Sequence, residues 1–250
     1  MELPAQVLRT AFSGVAAVGL TGVFSSVVAA LSFVDERAPD GALYLWAESV
    51  LRATGVRTVC EGLEHLPAGN FVLAVNHQSH FDAPVMFRHI RRHVRYVAKK
   101  QLRSVPVFGY ALERAGNIFV DRTGGDGDKA TLQEAARAVR ERVSVVFFAE
   151  GTRSDDGVLR PFKKGAAVMA LAAQVPLVPA AIAGTHRILE KGSKLVKPRP
   201  AALVIGAPLA TQGLGPDSRE ALTLRAHAEV ARLLEQGNRL VSGMSVDESR

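Results

Sequence analysis

The chain reads as an α/β protein with a mixed sheet flanked by helices, preceded by an N-terminal two-helix membrane-associating motif. Three observations predict this. From Val56 onward, short β-rich runs alternate with amphipathic stretches, the texture of an α/β domain. Ahead of them lie 24 consecutive residues, Ala11 to Val34, with no charged side chain. The 250 residues are 48% hydrophobic and 22% charged, enough to bury a core unaided, which excludes a mini-protein, a collagen-like repeat and a mostly disordered chain. The expected organisation is a helical motif over 1–55, an α/β domain over 56–236 and a flexible tail over 237–250.

As a helix, the apolar segment would be about 36 Å long, against a hydrocarbon core of about 30 Å. Gly14, Gly19, Gly22 and several Ser and Thr residues dilute its apolarity, so a helix lying in the membrane plane competes with a spanning one. A cleaved signal peptide ending near Ala30-Leu31-Ser32 is the other alternative, disfavoured because signal cores run only about 7–15 residues. Asp40 then reads as an N-cap. Leu43, Trp46, Val50 and Leu51 recur at helical spacing before Gly55, giving a second helix of about 14 residues.

The strands expected next are 71–75, 94–98, 118–120, 143–148, 177–182 and 202–205, with helices after Asp82 and over 129–142, 164–174 and 219–235. The single cysteine, Cys60, cannot form an internal disulfide or a site of several thiolates, and suits a reducing compartment.

The formal charge of +7 calls for an anionic partner. Ala83 to Leu112 holds no Asp or Glu but seven cations: Arg88, Arg91, Arg92, Arg95, Lys99, Lys100 and Arg103. With aromatics at only 6% and no stacking platform or zinc-finger pattern, nucleic acid is not the expected partner. A basic face beside an apolar segment fits an anionic membrane surface; a merely solvated helix face is the plain alternative.

Polar groups cluster where strands end, the usual ligand position of open α/β sheets. After 71–75 comes Asn76-His77-Gln78-Ser79-His80-Phe81-Asp82. A carboxylate bonded to one imidazole nitrogen would leave the other as a base. Asp82 before Ala83-Pro84 reads equally as a helix N-cap, and the histidines as partly buried structural residues; a metal site lacks further ligands at suitable spacing. After 143–148 comes Glu150-Gly151-Thr152-Arg153-Ser154. Gly151 admits a turn or a close ligand, Arg153 offers a fork for phosphate and Thr152 a hydroxyl. Glu150 would accept from a substrate hydroxyl or pair with a cation. A turn closed by a local ion pair is the alternative. No G-x-S-x-G elbow occurs, which disfavours a serine nucleophile.

Together these residues resemble the glycerolipid acyltransferase family, most closely its lysophosphatidate (1-acylglycerol-3-phosphate) acyltransferase branch. The Asn-His-x4-Asp motif is matched by Asn76, His77 and Asp82. Gly116, Phe119 and Arg122 match a second motif, and Phe148 with Glu150 to Ser154 a third. Val175, Pro176 and Pro179 match a fourth. Ala149 stands where the family has Pro, which would loosen the turn into the third motif.

The resemblance implies transfer of a fatty acyl group from acyl-CoA or acyl carrier protein to the sn-2 hydroxyl of a lysophospholipid acceptor, lysophosphatidate. His77 would be the base and Asp82 its partner. Arg153, Arg122 and Lys100 would hold phosphate, while Glu150, Gly151 and Thr152 complete the substrate site. No cofactor and no metal are implied, the thioester being a co-substrate. The implied location is the cell membrane with the catalytic domain on its cytoplasmic side. Competing readings are an acyltransferase for another acceptor such as a lyso-ornithine lipid, and a non-enzymatic peripheral lipid- or nucleic-acid-binding protein.

Overall fold

Strands buried on both faces must be apolar at every position, and three stretches meet that demand completely: β2 (Val72–Val75), β6 (Leu177–Ala183) and β7 (Ala201–Ile205). With β1 (Thr58–Glu61), β3 (Val94–Lys99), β4 (Ile118–Val120) and β5 (Ser144–Phe148) they form one seven-stranded sheet in the order β1-β7-β6-β2-β5-β3-β4. Neighbours run parallel except β6 and β7, so the sheet is mixed, as expected. The computed structural model describes residues 3–120, 127–190, 192–193 and 195–247. All six expected strands form. The seventh, β1, is an edge strand of half-exposed residues ending in Glu61, too polar to stand out in the chain.

The alternation along β2 sets the two faces. Leu73 and Val75 pack with Val50 and Leu51 of α2 (Pro39–Thr54) and Val85 and Met86 of α3 (Asp82–His89). Val72 and Ala74 pack with Ala136 and Val139 of α5 (Gly127–Glu141) and Ala167 and Met169 of α6 (Gly165–Ala173). The long α7 (Arg219–Asp247) covers β6 and β7 through Val230, Leu233 and Val241. Residues 237–247, expected within a loose tail, instead continue this helix. Gly237 is no stop: a Cβ there would lie 2.9 Å from that of Ala183, so the glycine lets the helix backbone approach the sheet while the turns continue.

The apolar segment is α1 (Leu3–Leu31), and Ser13–Leu31 is long and apolar enough to cross a membrane. It packs on α2, where the Trp46 indole N–H donates to Thr21 Oγ1 at 3.1 Å. It also meets α4 (Phe108–Arg114), a short helix not anticipated, in a small cluster of Val28, Ala42, Ala111 and Ala115.

Asp40 is not the N-cap of α2. That position belongs to Ala38, with no side-chain cap, and Asp40 turns to the sheet. Its carboxylate takes Arg95 Nη1 at 2.7 Å and faces His93 Nδ1 at 2.8 Å. Arg95, 2% exposed, also donates to the carbonyls of Val94, Glu36 and Ala115, joining β3, the α1–α2 connection and the end of α4. Burial pushes the Asp40 pKa up, but the His93 hydrogen bond and the Arg95 charge and hydrogen bond outweigh it and hold it below 3.8.

The cation-rich stretch is therefore not one basic face. Arg88 pairs with Glu48 at 2.6 Å, and Arg91 lies over the Tyr44 ring and donates to its hydroxyl. Arg92 donates to the Pro67 and Ala68 carbonyls, and Arg103 pairs with Glu113. Most of these charges are paired inside the fold, tying α2 to α3, to the loop after α3 and to β3.

Candidate active site

In the parallel register of β2 and β5, Val75 lies opposite Phe148, so the residues that follow leave the sheet side by side. Adjacent parallel strands of matched length deliver their next residues to one edge. His77 and Glu150 meet there. Asn76, 1% exposed, steadies the exit. Its amide donates to the Ile182 carbonyl and accepts from the Ile182 N–H, both at 2.8 Å, replacing a rung between β2 and β6. Ala149 N–H donates to the Val75 carbonyl at 2.8 Å, a bond no proline can make, and this ties down the turn that the substitution was expected to loosen.

Asp82 begins α3 but does not cap it, the N-cap being Phe81. Fully buried, its Oδ2 faces His77 Nδ1 at 2.7 Å and accepts from the N–H groups of Gln78 at 2.7 Å and Ser79 at 3.0 Å. Its Oδ1 accepts from the Thr185 hydroxyl. A carboxylate so placed makes Nδ1 the protonated nitrogen of His77 and leaves Nε2 as acceptor. The imidazole stacks on Phe148, with centroids 3.9 Å apart and planes at 17°.

Glu150 departs from its expected role. It is 4% exposed, with Oε1 accepting the His77 backbone N–H at 2.6 Å and Oε2 the Arg160 N–H at 2.9 Å. Both oxygens are spent on the backbone, so Glu150 holds the His77 loop rather than a substrate hydroxyl. Burial raises its pKa above 4.5, with the nearby Asp82 charge adding to the rise, against the lowering effect of those hydrogen bonds and of the His77 charge. Glu150→Gln sets an NH₂ against one of these N–H groups, and losing a hydrogen bond to a charged group costs about 1.5–3 kcal/mol. We expect kcat to fall about 10–100-fold with little change in the acceptor KM. Steady-state kinetics would show the reverse split if the carboxylate bound substrate.

Gly151 adopts φ +76°, left-handed backbone that favours glycine. This turn sends Thr152 and Arg153 to the mouth of a cavity of about 440 Å³, shared with His77 and His80. Its walls are apolar: Phe24 and Val28 from α1, Leu43 and Trp46 from α2, and Phe108 and Leu112 from α4. Aromatic contacts run from Trp46 through Phe87 and Tyr96 to Phe148 and so to His77, with centroids 3.9 to 6.2 Å apart. Among the described residues, Arg153 has no hydrogen-bond or ion-pair partner, unlike the arginines of the cation-rich stretch.

Of the remaining candidates, Lys100 opens the 3₁₀ turn Lys100–Ser104 and is not among the cavity-lining residues, whereas Leu102 of the same turn is. Arg122 lies outside the described residues. Thr185 is not among the candidates the sequence offers, although it lies two residues past the end of β6 and, like His77 and Glu150, is a polar residue just after a buried strand. Cys60 sits in β1 at the sheet's far edge, where burial first, then Glu64 and Glu61, push its thiol up to about 12, a poor nucleophile at neutral pH.

The chain is also similar to known proteins. Residues 57–183 match the family described as Acyltransferase. A chloroplast 1-acyl-sn-glycerol-3-phosphate acyltransferase of Brassica napus is 35% identical over 60% of this chain and 44% of its own length. The alpha form from Ovis aries is 33% identical over 68% of this chain and 60% of its own length. The matched part thus spans roughly half the length of these curated relatives. The crystal structure of the 1-acyl-sn-glycerophosphate (LPA) acyltransferase PlsC from Thermotoga maritima superposes with a TM-score of 0.79 at 25% identity, covering 94% of this chain and 97% of that one.

Proposed function

Because the chain belongs to the acyltransferase family, we propose that it moves a fatty acyl group from acyl-CoA or acyl carrier protein to the sn-2 hydroxyl of lysophosphatidate, giving phosphatidate. One observation carries this reading: a carboxylate-oriented imidazole opens onto an apolar cavity whose mouth presents an unpaired arginine.

His77 Nε2 takes the hydroxyl proton as the oxygen attacks the thioester carbonyl, and Asp82 steadies the imidazolium that forms. The C–O bond forms, the C–S bond breaks, and the proton passes from His77 to the departing thiolate. A direct transfer of this kind uses no enzyme nucleophile and no metal. Arg153 holds the acceptor phosphate with Thr152 beside it, and Arg122 is a candidate second cation. The apolar walls take the acyl chains, at about 0.8 kcal/mol per buried methylene. With α1 in the bilayer, the catalytic domain faces the cytoplasm, where an unpaired Cys60 is at home.

The test is to incubate the pure protein in detergent micelles with acyl-CoA or acyl carrier protein thioesters and a panel of lysolipids, identifying products by mass. Phosphatidate is the expected product. A lyso-ornithine product would reassign the acceptor, and absence of any thioester-dependent product would point to a binding protein. Arg153→Ala should raise the KM for lysophosphatidate about 10–100-fold, the equivalent of a hydrogen bond to a charged group, with a smaller change in kcat. An unchanged KM contradicts the phosphate role.

A further inference from the structure

The catalytic pair leaves a second histidine at the same mouth unused. His80 sits in the turn between Ser79 and α3, exposed where it lines the cavity with Arg153 and His77. It is not an alternative base. The Asp82 oxygens are committed to His77, Gln78, Ser79 and Thr185, so no carboxylate orients the His80 ring. Nor is it part of the scaffold, for among the described residues neither of its ring nitrogens has a hydrogen-bond partner. His186, by contrast, is anchored to Gln78 and His93 to Asp40.

We infer that His80 selects the acceptor's headgroup, its imidazole donating to the phosphomonoester that Arg153 also grips. The inference rests on the lysophosphatidate reading and deepens it. The Arg153 charge opposes protonation of His80, and an anion bound by both offsets that repulsion. The groups that face His80 are Arg153 from the loop after β5, with His77 and Asp82 from its own segment. The parts of α1, α2 and α4 that line the cavity are uncharged among the described residues. Desolvation at the mouth first, then the Arg153 and His77 charges, lower the His80 pKa below 6.5, with Asp82 opposing. The empty site therefore holds a neutral imidazole at pH 7. A bound phosphate dianion beside it favours the imidazolium, so binding draws a proton from solvent.

The sign follows by linkage. Where the pKa is higher in the complex than in the free protein, affinity is greatest below the free value and falls as pH rises through the window between the two, approaching tenfold per pH unit. The acceptor KM of the wild type should accordingly rise with pH more steeply than that of His80→Gln. The acceptor's own phosphate ionisation is common to both proteins and cancels in the comparison. At pH 6.5 the variant's KM for lysophosphatidate should be about tenfold higher or more, with kcat falling by less than KM rises.

A readout that does not depend on turnover is the proton count on binding. Calorimetric titration of lysophosphatidate in mixed micelles at pH 7, in buffers of different ionisation enthalpy, should show the wild type taking up more protons than His80→Gln, by a margin approaching one. Equal counts and parallel KM profiles, with wild-type turnover intact, overturn the role of His80 alone, as does a variant that loses kcat but keeps its KM. A wild type that acylates another lysolipid but neither binds nor acylates lysophosphatidate overturns the acceptor reading instead.

Discussion

His77→Ala should lower acyl transfer by at least the roughly 10²–10⁴-fold that a positioned general base supplies, while the protein stays folded and micelle-bound. An alcohol is a weak nucleophile at neutral pH, and His80, the other histidine lining the cavity, has no carboxylate to orient its ring. The fold survives because the surroundings do not depend on the imidazole. Asp82 still takes the Gln78 and Ser79 amides and the Thr185 hydroxyl, and Glu150 still takes the residue-77 backbone N–H. Circular dichroism and the thermal midpoint should match wild type while product formation by mass is lost. Near-wild-type turnover in a purified, folded variant would remove His77 from the mechanism. Asp82→Asn separates orientation from basicity: the shape persists, the carboxylate that favours a protonated Nδ1 does not, and a loss approaching that of His77→Ala is expected.

Asp40→Ala should instead cost stability, about 3 kcal/mol or somewhat more, because it strands the buried Arg95 guanidinium without its counter-charge. At about 2–4 °C per kcal/mol for a chain of this size, the thermal midpoint in micelles should drop by roughly 10 °C. The pH profile carries the same signature. The Asp40 pKa is lowered in the folded protein, so its contribution is full above the ordinary aspartate value and is lost as pH falls through the lowered one. Wild type and variant should therefore begin to converge only as pH falls below about 4, and meet below the lowered Asp40 value. A variant as stable as wild type at pH 7 would show that the Arg95 carbonyl partners alone suffice.

The interior of the sheet could be read from the chain because parallel strands need apolar residues on both faces, and Phe71–Val75, Leu177–Ile182 and Ala202–Ile205 meet that need almost without exception. Edge strand β1 and short α4 could not: one is half-exposed, and the other follows Val107, which takes a positive φ of 62° that no local residue pattern announces. The His77–Asp82 pairing was legible, both residues lying within one loop. The Glu150 assignment was not, since what its carboxylate touches depends on the register of β2 against β5, a relation between segments 73 residues apart. The cation-rich stretch misled for the same reason. Its sign is written in the chain, but its partners Asp40, Glu48 and Tyr44 come from α2.

An activated thioester beside an imidazole is open to water as well as to alcohol, and hydrolysis would waste the acyl group. Phe148 covers one face of the His77 ring, and the cavity beyond it is walled by aliphatic and aromatic side chains. A water molecule entering there gives up hydrogen bonds it cannot replace, whereas a hydroxyl carried on an alkyl chain is drawn in by that chain. In the proposed reaction the stack of rings behind the base would thus favour an alkyl-borne hydroxyl over water through solvation, although water is far more abundant than the acceptor.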